Sequence, residues 1–149
     1  MPTVFAPSDT TQVEIWHNPA CGTSRNALAL IRHVGIEPRV VEYLNETPDK
    51  TRLTQAIAAA GLSVREAIRE KGTPYFDLGL DDADLSDEVL LDAMIAHPIL
   101  INRPFVFSPK GARLCRPSER VLDLLPPCDK PFVKEDGEVV IDSDGKRVR

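Results

Sequence analysis

The chain has no apolar run approaching the roughly 20 residues that would cross a bilayer, so nothing in it reads as a membrane span. Basic charge is in short supply. Lys and Arg number 18 against 23 Asp and Glu, a net charge of −5. The chain as a whole therefore repels nucleic acid, and any anion site must come from a local cluster of basic residues. Cysteine is scarce as well. Cys21, Cys115 and Cys128 are odd in number and irregular in spacing, which excludes a disulfide scaffold and points to a reducing, cytoplasmic setting. Metal-ligand spacing is missing, because Pro19 spoils a helical pairing of His17 with Cys21. There is no internal repeat and no low-complexity segment. Residues 1–12 lack a basic start and an apolar core, so they are expected to be a disordered or extended tail rather than a secretory signal.

What is present suits one globular domain. Hydrophobic residues make up 42% and charged residues 28% of 149, enough to bury a sizeable core. The expected extent is 13–128, with 129–149 as a C-terminal extension of the same domain. Val13–Trp16 reads as a strand. Ala27, Leu30, Ile31 and Val34 follow at helical spacing and Gly35 stops them. Arg39–Leu44 reads as a second strand, so the first third is a β-α-β unit with a parallel pair. Thr47 and Pro48 read as the start of a helix carried by Leu53, Ala56, Ile57 and Ala60. Ser63-Val64-Arg65-Glu66 has the form of a capping box and predicts a helix reaching Gly72. Ser86 caps a helix that His97-Pro98 halts. Phe105–Phe107 and Ala112–Cys115 flank a turn and predict a hairpin, and Ser118 is expected to cap a last helix to Leu125. Val139–Ile141 and an Asp144-Gly145 turn suggest a further hairpin. The predicted class is α/β, a thioredoxin- or glutaredoxin-like fold with a helical insertion between an N-terminal βαβ and a C-terminal ββα unit.

The loop His17-Asn18-Pro19-Ala20-Cys21-Gly22-Thr23-Ser24-Arg25 is where chemistry is expected. It puts Cys21 at the first turn of a helix, where free N–H groups and the dipole favour a thiolate and cradle an anion. The pattern is Cys-x-x-Ser, so Ser24 cannot close a disulfide, but its hydroxyl is expected to bond the thiolate. His17 is a candidate nearby cation or proton donor. Arg103 before Pro104 and Arg116 before Pro117 each place a guanidinium at a strand end, and such forks match tetrahedral oxyanions. Arg25 reads as a helix-surface residue or an anion contact, His33 as exposed, and Cys115 as core.

Taken together, these segments resemble the arsenate reductases coupled to glutathione and glutaredoxin. The residues that carry the likeness are His17–Arg25, Ser63-Val64-Arg65 through Arg69, His97–Pro104 and Leu114–Ser118, and it runs from about Val13 onward. The resemblance implies Cys21 as nucleophile, Arg69, Arg103 and Arg116 as holders of the arsenic oxyanion, and His17 and Ser24 as residues that tune the thiol. It implies a cis Arg103–Pro104 bond. It also implies arsenate as substrate, glutathione as co-substrate, glutaredoxin as partner and no bound cofactor, metal, nucleic acid or membrane. Arsenate reduction takes two electrons, and one thiol with a serine partner cannot supply both. A three-cysteine relay on a Cys-x5-Arg loop is disfavoured, because Ala27 stands where that arginine would be. Two other readings share the fold order: a regulator that binds RNA polymerase, and a general glutathione-dependent thiol oxidoreductase.

Overall fold

The computed structural model describes residues 12–148, so most of the expected N-terminal tail lies outside the described residues. Four short strands form the central sheet: β1 (Glu14–Trp16), β2 (Arg39–Val41), β3 (Phe105–Ser108) and β4 (Gly111–Leu114). Their order is β2-β1-β3-β4. β1 runs parallel to β2 and antiparallel to β3, and β3 and β4 are the expected hairpin. Helix α1 (Gly22–His33) connects β1 to β2, and Gly35, at φ +93°, turns the chain after it. This is the thioredoxin-like arrangement, with α2 (Lys50–Ala59) and α3 (Asp87–Ala96) inserted before β3.

The period of two along each strand divides the core into two layers. Trp16, Val41, Phe105 and Phe107 face α2 and α3, where Leu53, Ala56, Ile57, Leu90, Leu91 and Met94 are buried. Val13, Ile15 and Val106 face the opposite way, onto Ala27, Leu30 and Ile31 of α1. That second layer is closed by Val121 and Leu124 and by Val140 and Ile141. The last pair belongs to β6 (Val139–Ile141), which forms a two-stranded hairpin with β5 (Phe132–Val133).

Several local expectations are corrected. The cap of α2 is Asp49, whose carboxylate accepts from the Arg52 amide at 2.8 Å. Thr47 instead donates its hydroxyl to the Tyr43 carbonyl. The capping box forms, with Ser63 N–H on Glu66 and Glu66 N–H on the Ser63 hydroxyl, but it opens only one 3-10 turn, Arg65–Ala67. Ile68 then bridges to Ile101, which pulls the chain out of helix. The last helix is also 3-10, Ser118–Leu124, and Pro117 rather than Ser118 occupies its cap position. Strand β2 ends at Val41, three residues short of the expected Leu44. Ser86 caps α3 as expected, accepting from Val89 N–H.

Candidate active site

The site is built at one end of the sheet. The register sets Trp16 beside Phe105 and Phe105 beside Leu114, so β1 and β4 leave the sheet at the end where β3 enters it. The loop His17–Cys21 follows β1, Arg103 precedes β3, and Arg116 follows β4. The His17 amide donates to the Val41 carbonyl, and the Cys115 amide donates to the Pro104 carbonyl at 2.9 Å. Arg69 arrives from the helical insertion. Its amide donates to the Leu100 carbonyl at 2.7 Å, and the Asn102 amide donates to the Ala67 carbonyl. Both Arg103–Pro104 and Arg116–Pro117 are cis; the second was not anticipated.

Cys21 is half-buried at the N-cap of α1. Arg116 Nη1 lies 3.8 Å from its sulfur and also donates to the Arg103 carbonyl at 3.0 Å. Burial opposes ionisation of the thiol. The Ser24 amide, hydrogen bonds from Arg103 and Arg116, and the charge of Arg103 outweigh that and hold its pKa below the usual thiol range. Arg69 belongs to the same electrostatic cluster. Burial lowers its pKa first, then repulsion from Arg116 and Arg103, while Cys21 acts in the other direction.

Among the described residues, no carboxylate pairs with Arg69, Arg103 or Arg116. Nε and Nη1 of Arg103 are buried with no hydrogen-bond partner. Buried donors on a cation are costly to leave unmet. A doubly charged oxyanion beside the sulfur would meet them and relieve the repulsion.

Two expected roles are revised. The Ser24 hydroxyl does not reach for the thiolate. It is fully buried, accepts from the Asn18 amide at 3.1 Å and pairs with His17 Nδ1 at 2.6 Å. It is the Ser24 backbone amide that favours the thiolate. His17 is 6% exposed, and burial lowers its pKa, with Glu42 opposing and Arg32 and Arg25 reinforcing. The shift favours the neutral imidazole, and the Nδ1 contact with Ser24 ties the ring to the loop. Arg25 takes the surface role. Its guanidinium pairs with Glu135 at 2.7 Å and donates to the Pro19 carbonyl. His33 is half-buried, bonded to the Lys130 carbonyl and edge-on to Phe132. Cys115 is fully buried, as expected, and Cys128 is half-buried against the second core layer.

One residue of the site escaped the sequence. Tyr43 is fully buried, and its hydroxyl has no hydrogen-bond partner. Burial pushes its pKa up, while Arg103 and the Asn18 side chain pull it back. In the sequence it is one more apolar residue of a strand; only its place just past β2, beside the loop that leaves β1, marks it. Among the described residues, no three His, Cys, Asp or Glu side chains gather as a metal site requires.

Comparison with known proteins bears on this cluster. The ArsC family model matches residues 16–124. An arsenate reductase of Rhizobium meliloti (strain 1021) is 67% identical over 137 residues, covering 91% of this chain and 98% of that protein. An arsenate reductase of Escherichia coli (strain K12) is 51% identical over 140 residues, covering 93% and 99%. The solved structure of an arsenate reductase from Vibrio cholerae superposes with a TM-score of 0.75 at 42% identity, covering 78% of this chain and all of that one. The family match spans the thiol, the three unpaired arginines and the buried tyrosine, and by it this chain belongs to the ArsC family.

Proposed function

We propose that the protein reduces arsenate to arsenite through a covalent thiol–arsenic adduct on Cys21, with glutathione and glutaredoxin supplying the electrons. The observation that carries this reading is the Cys21 thiol, its pKa lowered, set against the unpaired Arg103 and Arg116. The names of relatives at 51–67% identity support arsenate as the substrate.

The chemistry follows from the charges. Arg69, Arg103 and Arg116 bind the oxyanion and stabilise the charge that builds on its oxygens. The Cys21 thiolate attacks arsenic, and one arsenate oxygen leaves as water after taking up protons. The glutathione thiol then adds to arsenic and displaces a second water. A glutaredoxin thiolate attacks the glutathione sulfur, the S–As bond breaks, and its electron pair passes to arsenic. Arsenic(V) becomes arsenic(III), glutathione and glutaredoxin become a mixed disulfide, and hydrolysis returns Cys21 as a thiol with arsenite released. Ser24 at the Cys-x-x-Ser position supports this external supply of the second thiol. A cavity of ≈ 320 Å3 beside the start of α1 is bordered by Gly22, Thr23, Asn26 and Pro117 and by Lys134, Glu135 and Asp136, and it is a candidate place for a co-substrate to approach. The three cysteines are free, which fits a reducing cytoplasmic setting.

The test is steady-state turnover of Cys21→Ser with arsenate, glutathione and glutaredoxin. A loss of about 10³-fold or more is expected, as for removal of a nucleophile elsewhere. Turnover near that of the parent protein would overturn the reading.

A further inference from the structure

Tyr43 follows β2 by two residues and points its ring into the core layer that holds Ile68, Ile101 and Phe105. A buried phenol ordinarily finds a partner for its hydroxyl. No group meets this one in hydrogen-bond geometry, although the Asn18 side chain lies close enough to act on it, and phenylalanine would fill the same space without a polar cost. The backbone around it is pinned. Its carbonyl accepts from the Thr47 hydroxyl at 3.0 Å, and the neighbouring Val41 carbonyl accepts from the His17 amide at 2.8 Å. The backbone that carries the ring is therefore tied to the loop that presents Cys21.

The charges that act on this hydroxyl are those of Arg103, Cys21 and Arg69, with the Asn18 side chain beside it. Arg103 carries two more of the buried polar atoms that lack a partner. Two residues with unmet buried donors thus lie within electrostatic reach of one another and of Cys21. A fourth cation there would add to the repulsion already present among the arginines. A neutral O–H donates to an anion without that cost.

We propose that the Tyr43 hydroxyl is a substrate-contacting donor, giving a hydrogen bond to one oxygen of the oxyanion held by Arg69, Arg103 and Arg116. This inference rests on the reading of the Cys21 cluster as an arsenate site. Burial keeps the phenol protonated, so the donor persists across neutral and mildly alkaline pH.

The experiment compares Tyr43→Phe with the parent protein. Cys21 is alkylated with iodoacetamide at increasing arsenate, at pH values chosen for an equal thiolate fraction. The variant is expected to need about 10-fold more arsenate for half-protection, the loss of one donor to an anion. Without arsenate, its alkylation rate and the pH midpoint of that rate should match the parent's, and its thermal midpoint should be equal or higher. Equal half-protecting concentrations would overturn the proposal. So would a shifted pH midpoint with unchanged protection, which would tie Tyr43 to the thiol alone. If arsenate fails to protect the parent protein, the site reading itself falls and this inference falls with it. Protection of the parent and variant alike removes only the role of Tyr43.

Discussion

Cys21 and Cys115 are the same side chain at two ends of one burial scale. Cys21 is half-exposed at a helix start and its pKa is lowered; Cys115 is fully buried, and burial pushes its pKa up to about 12. Each has a guanidinium nearby. Arg113 acts on Cys115 in the same sense as Arg103 acts on Cys21, yet it is outweighed. Part of the difference is that Arg113 is paired with Asp123 at 3.6 Å, whose charge opposes it. Arg103 and Arg116 have no such carboxylate, Arg116 reaches the sulfur itself at 3.8 Å, and the charge of Arg103 favours the thiolate. A positive charge activates a thiol when the charge is uncompensated and close to the sulfur, and when the sulfur is not itself fully buried. The two environments are one residue apart in the chain. Cys115 turns into the second core layer while Arg116, next to it, turns to the site.

The contrast can be broken at its strongest point. Arg103→Ala should lower kcat/KM for arsenate by about 10²–10³, the usual cost of one donor to a developing oxyanion. The same substitution should raise the pH midpoint of Cys21 alkylation toward that of an ordinary thiol. An unmoved midpoint would assign the activation to the helix start and Arg116.

A smaller effect tests the other cysteine. The pKa of Cys115 is raised in the fold from 9.0 to about 12. Its contribution to stability is therefore complete below pH 9 and lost as pH rises toward 12, because the unfolded thiol ionises first. One pH unit above that lower bound, the loss is about 1.4 kcal/mol. Denaturant unfolding of Cys115→Ala should give a stability curve that falls less steeply above pH 9. Parallel slopes in the parent and variant would count against the burial account. The smallest effect concerns catalysis. Cys115→Ser with Cys128→Ser should leave turnover near the parent's, and loss of activity only with glutaredoxin as reductant would reveal an electron relay.

The parts of the site that were legible are those set by local rules. A cysteine at a helix start and arginines before proline at strand ends carry their meaning within a few residues. The α/β order followed from periodicity, and the apolar faces of α1, α2 and α3 emerged as buried. What stayed hidden depends on partners distant in the chain. Nothing near Ser63 shows that Ile68 will bridge to Ile101 and end the helix after one turn. Nothing near Arg25 shows that Glu135 will hold it. Tyr43 reads as core because it is core; only its unmet hydroxyl separates it from a phenylalanine. The partners of Ser24 were missed for a subtler reason: His17 lies seven residues away, and the loop folds back so that the two meet.

The hairpin of β5 and β6 has a consequence for synthesis. Val140 and Ile141 finish the layer that Val13 and Ile15 begin. Until residue 141 has left the ribosome, the inner face of α1 has no complete cover, and Arg25 waits for Glu135. Such closure between distant segments is slow and comes late. Helix α1, which begins beside the reactive sulfur, therefore gains its full cover only once β6 has been made.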